Sequence, residues 1–116
     1  MHLAGSTDRL LTYARGEALS ASQRAALASE RAMTAPYPPV GELMTSWRTT
    51  VEGALRQLAT TPEATLTNAR LVGRAQLPSN VLGLLFHAAE HAQRHVGQLV
   101  TTAKIIRGTG LDAAKS

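Results

Sequence analysis

The chain predicts an all-α domain, and three observations carry that prediction. Ala, Leu, Arg, Glu and Gln dominate, and alternating runs of Val, Ile and aromatic residues are missing. Apolar residues recur at helical spacing in separate segments, and prolines and glycines fall between those segments. At 116 residues the chain reads as one domain, 1–116, too short for two cores.

Taken in order, residues 2–15 form a first helix, because Leu3, Leu10, Leu11 and Ala14 make an apolar stripe and Gly16 supplies a stop. Nothing before His2 can cap its first turn, so the chain opens as if inside a helix that has a preceding segment. Residues 20–33 give a short second helix, Ala-rich and capped by Ser20, that packs only peripherally. Pro36, Pro38 and Pro39 impose an extended linker, since each disfavours helix in the residue before it. A third helix over 40–59 follows from Leu43, Trp47, Val51, Leu55 and Leu58, and Pro62 ends it. Between Pro62 and Pro78 no periodicity stands out, so this stretch is a connection across the bundle, long enough for a parallel or an antiparallel return, and no sheet is expected. Ser79 or Asn80 caps a last helix that runs to about Arg107, before Gly108 and Gly110.

That last helix holds three of the four histidines. His87, His91 and His95 stand one turn apart, and two imidazoles at i and i+4 project from one face as a ready chelating pair. On a helical wheel Val81, Leu84, Leu85, Ala88, Ala92, Val96, Leu99, Ala103 and Ile106 form the core side. His91 and His95 border that side and His87 leans toward solvent. The buried-edge pair His91 and His95 is therefore the preferred ligand pair, with His87 in an outer shell or at the site's mouth. A third His from a neighbouring helix could complete a three-nitrogen site. His2 on its own is a weak candidate, and Gln98 is either a partner of the ligands or a polar residue on the helix rim.

Composition narrows the chemistry. With no Cys there is no thiolate zinc site, iron-sulfur cluster or cysteine nucleophile, so a metal must use imidazole, carboxylate or water. The net charge of +4 comes from arginines scattered along the chain without a run or an aromatic stacking platform, so no nucleic-acid partner is expected. The absence of Cys, of a signal peptide and of a membrane-spanning apolar run leads to an expectation of a cytoplasmic protein with no membrane partner.

The segment from His87 to Leu99 resembles the last-helix signature of the DinB-like (DinB/YfiT) superfamily: Glu90, His91 and His95 form an EHxxxH pair, followed by Gly97 and Gln98. The opening from His2 to Tyr13 looks like the family's second helix, and the Pro-rich linker, long helix and Val72–Gly73 to Pro78 stretch are similar in order and spacing. The resemblance implies a four-helix bundle of up-down-down-up course, lacking in this chain the family's first helix, so that the domain is N-terminally truncated relative to the family. It also implies that His2, His91 and His95 bind a divalent metal, nickel, zinc or iron, with His87 as an accessory histidine. The implied activity is a metal-dependent transfer using a low-molecular-weight thiol such as bacillithiol, mycothiol or glutathione and an electrophilic small molecule. No protein nucleophile or general base stands out, since Glu90 projects away from the core side and the facing of Asp8 is open. Two alternatives stand beside it: a non-enzymatic, stress-related interaction module with a structural or vestigial metal site, and a metal-dependent hydrolase. A chain lacking one bundle helix is also expected to be a homodimer, which would bury Leu10, Leu55 and their neighbours.

Overall fold

In the computed structural model, residues 1–108 are described. The fold is helical, with α1 (His2–Ala14), α2 (Ala21–Arg31), α3 (Val40–Thr60) and α4 (Val81–Ile106). A short 3-10 turn, Glu63–Thr65, follows α3, and two strands, β1 (Ala69–Val72) and β2 (Leu77–Asn80), precede α4.

The shortest of the three core-forming helices lies at the centre. Helix α1 packs on α4 along one side and on α3 along another. Its Leu10, Leu11 and Ala14 meet Leu84 and Ala88 of α4 in the core, with Ala54 of α3, Val72 of β1 and Leu85 packed around them. Leu10 is thus buried within the chain and needs no second copy to cover it. Leu55 and Leu58, read from the sequence as part of the α3 stripe, are exposed; the face of α3 turned inward carries Leu43, Trp47, Val51 and Ala54 instead, all half-buried. The four-residue steps from Trp47 to Leu55 drift around a 3.6-residue helix, and the inward line follows 47, 51 and 54.

The C-terminal end of α1 is tied from outside the helix. Gly16 takes a positive φ of 77°, ending the helix where a left-handed residue is needed. Its last carbonyls accept side-chain hydrogen bonds, Leu11 from Gln57 Nε2 at 2.8 Å and Ala14 from Arg70 Nε at 2.9 Å. Helix α2 contributes no apolar residue to the buried core and is docked by polar contacts: Ser20 and Gln23 form a capping box, and Gln23 Nε2 reaches Asp8 Oδ2 and Thr12 Oγ1, both at 2.8 Å.

The sheet-free connection expected over 62–78 is corrected by a β-hairpin. Ala69–Val72 pairs antiparallel with Leu77–Asn80, Val72 opposite Leu77 and Leu71 opposite Pro78. Two four-residue strands are too short to show alternation, and Pro78, tolerated because a two-stranded sheet has only edges, argues against a strand when read in sequence. The turn uses positive φ at Gly73 (72°) and Gln76 (52°). Strand β2 continues into α4 without a loop. Asn80 caps α4 through Gly83 N at 2.7 Å, and Val81 N and Leu82 N donate to the Asn68 and Leu66 carbonyls.

The core side of α4 is shorter than the wheel suggests. Val81, Leu84 and Ala88 are buried, whereas Val96 and Leu99 are exposed, because α1 reaches only as far as the turn carrying His91 and His95. Gly110, expected beyond the helix end, lies outside the described residues. No helix among the described residues is long and apolar enough to cross a membrane.

Leu84 is the most enclosed large side chain, at 1 % exposure, so Leu84→Ala should cost about 3 kcal/mol of unfolding free energy. Phe86→Ala, two residues away and 73 % exposed, should change it by less than about 0.5 kcal/mol. Denaturant titration of both variants checks the contrast, and equal losses would contradict the described core.

Candidate metal centre

The start of α1 runs beside the middle of α4, and this brings His2 to His91 and His95 across a sequence separation of 89 residues. Their ligating nitrogens all lie within 4.8 Å of one another. His2 Nε2 stands 3.2 Å from His91 Nε2, and His95 Nε2 stands 3.1 Å from the same atom. The rings meet edge to face, with centroids 4.4 Å apart for His91 and His95 and 5.1 Å for His2 and His95. His91 and His95 are half-buried and His2 is exposed.

His87 is exposed and outside this cluster, its ring centroid 6.0 Å from that of His91. Gln98 is exposed and makes no side-chain hydrogen bond among the described residues. Glu90 is exposed and pairs with Arg94 at 2.8 Å, and Asp8 is engaged by Gln23; neither belongs to the cluster.

One participant carries no signal in its own segment of the sequence. Glu30, near the end of α2, has a side chain only 7 % exposed; its Oε1 lies 3.1 Å from His2 Nδ1, and its Oε2 accepts from Arg9 Nη1 at 2.7 Å. An ionised carboxylate only accepts, so Nδ1 of His2 carries a hydrogen toward Glu30, and in the neutral ring that leaves the Nε2 lone pair for a metal. A carboxylate fixing the far nitrogen of a histidine is the outer support that orients metal ligands and raises their basicity.

Glycine makes room for it. A Cβ on Gly5 would collide with Glu30 Oε2 and lie 2.9 Å from Arg9 Nη1. His2, Gly5 and Arg9 are spaced i, i+3 and i+7, one face of α1. A glycine inside a helix costs about 1 kcal/mol relative to alanine, and that cost is the one trace in the sequence of a close approach at this face.

His91 has its pKa lowered from the ordinary 6.5, first by burial and then by the charges of His95, His2, Arg94 and His87. It therefore stays neutral, the form that coordinates, to lower pH than a free imidazole.

The donor set fits a divalent metal. Nitrogens bound at about 2.0–2.1 Å to a tetrahedral ion stand roughly 3.3 Å apart, close to the 3.1 and 3.2 Å observed here. Imidazole nitrogens are donors that zinc, nickel and iron all accept.

A small helical domain with a convergent three-histidine cluster belongs to the class of helical proteins built around a candidate metal centre. The family model of the DinB superfamily matches residues 1–99, and the chain belongs to that superfamily. Comparison with curated proteins and with solved structures gives no match.

Calorimetric titration with zinc or nickel should show stoichiometric binding abolished by His91→Ala or His95→Ala, weakened by His2→Ala and least changed by His87→Ala. Glu30→Gln and Gly5→Ala should each weaken it about tenfold through loosened support of His2. Equal losses in all the histidine variants would point to a nonspecific cluster.

The lowered pKa of His91 also sets a pH dependence for the metal-free chain. The unfolded state takes up the proton first, so the folded state loses stability as pH falls from 6.5 toward the lower folded pKa. Denaturation at pH 7.5 and 5.5 should show this loss, and His91→Gln should reduce it; an undiminished loss in the variant would contradict the assignment.

Proposed function

We propose that the chain is a metal-dependent thiol transferase, in which His2, His91 and His95 hold a divalent nickel, zinc or iron ion. The observation that carries this reading is the convergence of the three imidazole nitrogens within 4.8 Å, with Glu30 taken up by His2 and Arg9 and so withheld from the ion. A structural site is closed by four protein ligands, whereas three leave a position for a reactant.

The bound metal supplies Lewis acidity that favours a thiolate over a thiol near neutral pH. The chain's own part is to fix geometry. His91 and His95 come from one rigid helix, and Glu30 holds His2 in the tautomer that presents Nε2. The thiol proton leaves to solvent, the sulfur forms a bond to the electrophilic carbon, and that carbon releases its leaving group with the bonding pair. Membership of the DinB superfamily supports the reading, and the absence of Cys from the chain agrees with the nucleophile coming from a small molecule in the cytoplasm.

We also propose a homodimer. Leu55 and Leu58 of α3 and Phe86 and Leu99 of α4 are all more than half exposed, and a second copy would cover such surface.

The test loads the chain with zinc, nickel or iron and follows conjugation of monochlorobimane to glutathione, bacillithiol or mycothiol. Conjugation above the uncatalysed rate with at least one pair, lost in His91→Ala, is the expected result. No acceleration with any pair would overturn the transferase reading. Sedimentation should give twice the chain mass, and a stable monomer would overturn the dimer.

A further inference from the structure

A cavity of about 990 Å³ lies between α1, α2 and the turn of the hairpin, and His2 and Glu30 form part of its wall. The remaining wall is mixed. Tyr13, Leu19 and Leu27 give it an apolar side, and Arg24 and Arg31 of α2 and Arg74 of the hairpin turn line it as well. Its size is that of a small-molecule site, apolar with a few convergent polar groups.

The charges are unbalanced. Arg9, also in the wall, is matched by Glu30, the one carboxylate lining the cavity. Arg24 Nη1 donates to the Leu19 carbonyl at 2.6 Å, which holds the guanidinium in place without neutralising it. Arg31 and Arg74 make no ion pair or hydrogen bond among the described residues. Scattered arginines on a convex surface are merely solvated; three of them around one partly apolar cavity create a positive potential that an anion relieves. The guanidinium fork is shaped for carboxylate and phosphate oxygens.

We infer that this cavity binds an anionic small molecule through Arg24, Arg31 and Arg74 and presents it to the histidine cluster across His2. The inference rests on the thiol-transfer reading for its role, since the anion would be carried by one of the two reactants. Its binding half stands on the cavity alone. Arg74 is delivered by the hairpin turn, which gives that element a function beyond joining α3 to α4.

Succinate titrated into the metal-free chain, followed by NMR of the arginine side chains, tests the binding. Saturable shifts at Arg24, Arg31 and Arg74 are expected, absent with uncharged succinamide and weakened by salt. The exposed pair of substitutions Arg31→Ser and Arg74→Ser should weaken succinate about tenfold, as two partly screened charge pairs would. Equal shifts with succinamide, or an unchanged affinity in the double variant, would overturn the inference.

A second arm separates this from the transferase reading. With the cobalt-loaded chain, mercaptosuccinate should give a thiolate-to-cobalt absorption band at about tenfold lower concentration than thioglycerol, with the preference lost in the double variant. Succinate binding without that preference would place the anion on the electrophile. Succinate binding with no band from either thiol would overturn the transferase reading and leave the anion site standing.

Discussion

The packing of α1 against the first half of α4 is the contact on which the rest of the molecule depends. Leu10, Leu11 and Ala14 seat on Leu84 and Ala88, and this one apolar seam sets how far along α4 the start of α1 reaches. The seam is short, because α1 spans only residues 2–14, and its far end falls at the turn carrying His91 and His95. Helix α3, the hairpin and α2 are then arranged around α1, each adding polar ties to it: Gln57, Arg70 and Gln23 all donate to groups of that helix. The same register that closes the core brings the histidines together, so the stability of the fold and the geometry of the site cannot be varied independently.

Much of this was legible in the residues. The spans of the helices, the cap at Ser20, the stop at Gly16 and the four-residue spacing of the histidines are local signals, and local backbone preference decides them. The hairpin was not legible, because its strands are held by pairing between Ala69–Val72 and Leu77–Asn80, and four-residue strands with a Pro carry no period. The exposure of Leu55 and Leu99 could not be read either, since an apolar stripe is buried only as far as a partner extends along it. Glu30 is the plainest case: its role arises from contact with a residue 28 positions away, and nothing in the Ala-rich segment around it distinguishes it from a solvent-facing carboxylate.

The electrostatics of the two neighbouring regions differ in kind. At the histidine cluster burial and nearby positive charge lower the pKa of His91, and the Glu30 carboxylate lies against His2 Nδ1. Across His2 the cavity wall keeps arginine charges that no carboxylate among the described residues answers. Glu30 stands on the boundary, satisfying Arg9 on one oxygen and His2 on the other, so a single carboxylate with a buried side chain separates the imidazole donors from a cationic wall.

The placement of His2 at one end of the chain and His91 near the other has a further consequence in the unfolded ensemble. An ion held by both would close a loop of 89 residues in a protein that has no disulfide. Closing a loop of that length removes conformational entropy from the unfolded chain on the scale of about 4–5 kcal/mol in the cross-link model. The metal would then act as a reversible staple, tightening the whole domain when it binds and releasing it when protons or chelators take it away.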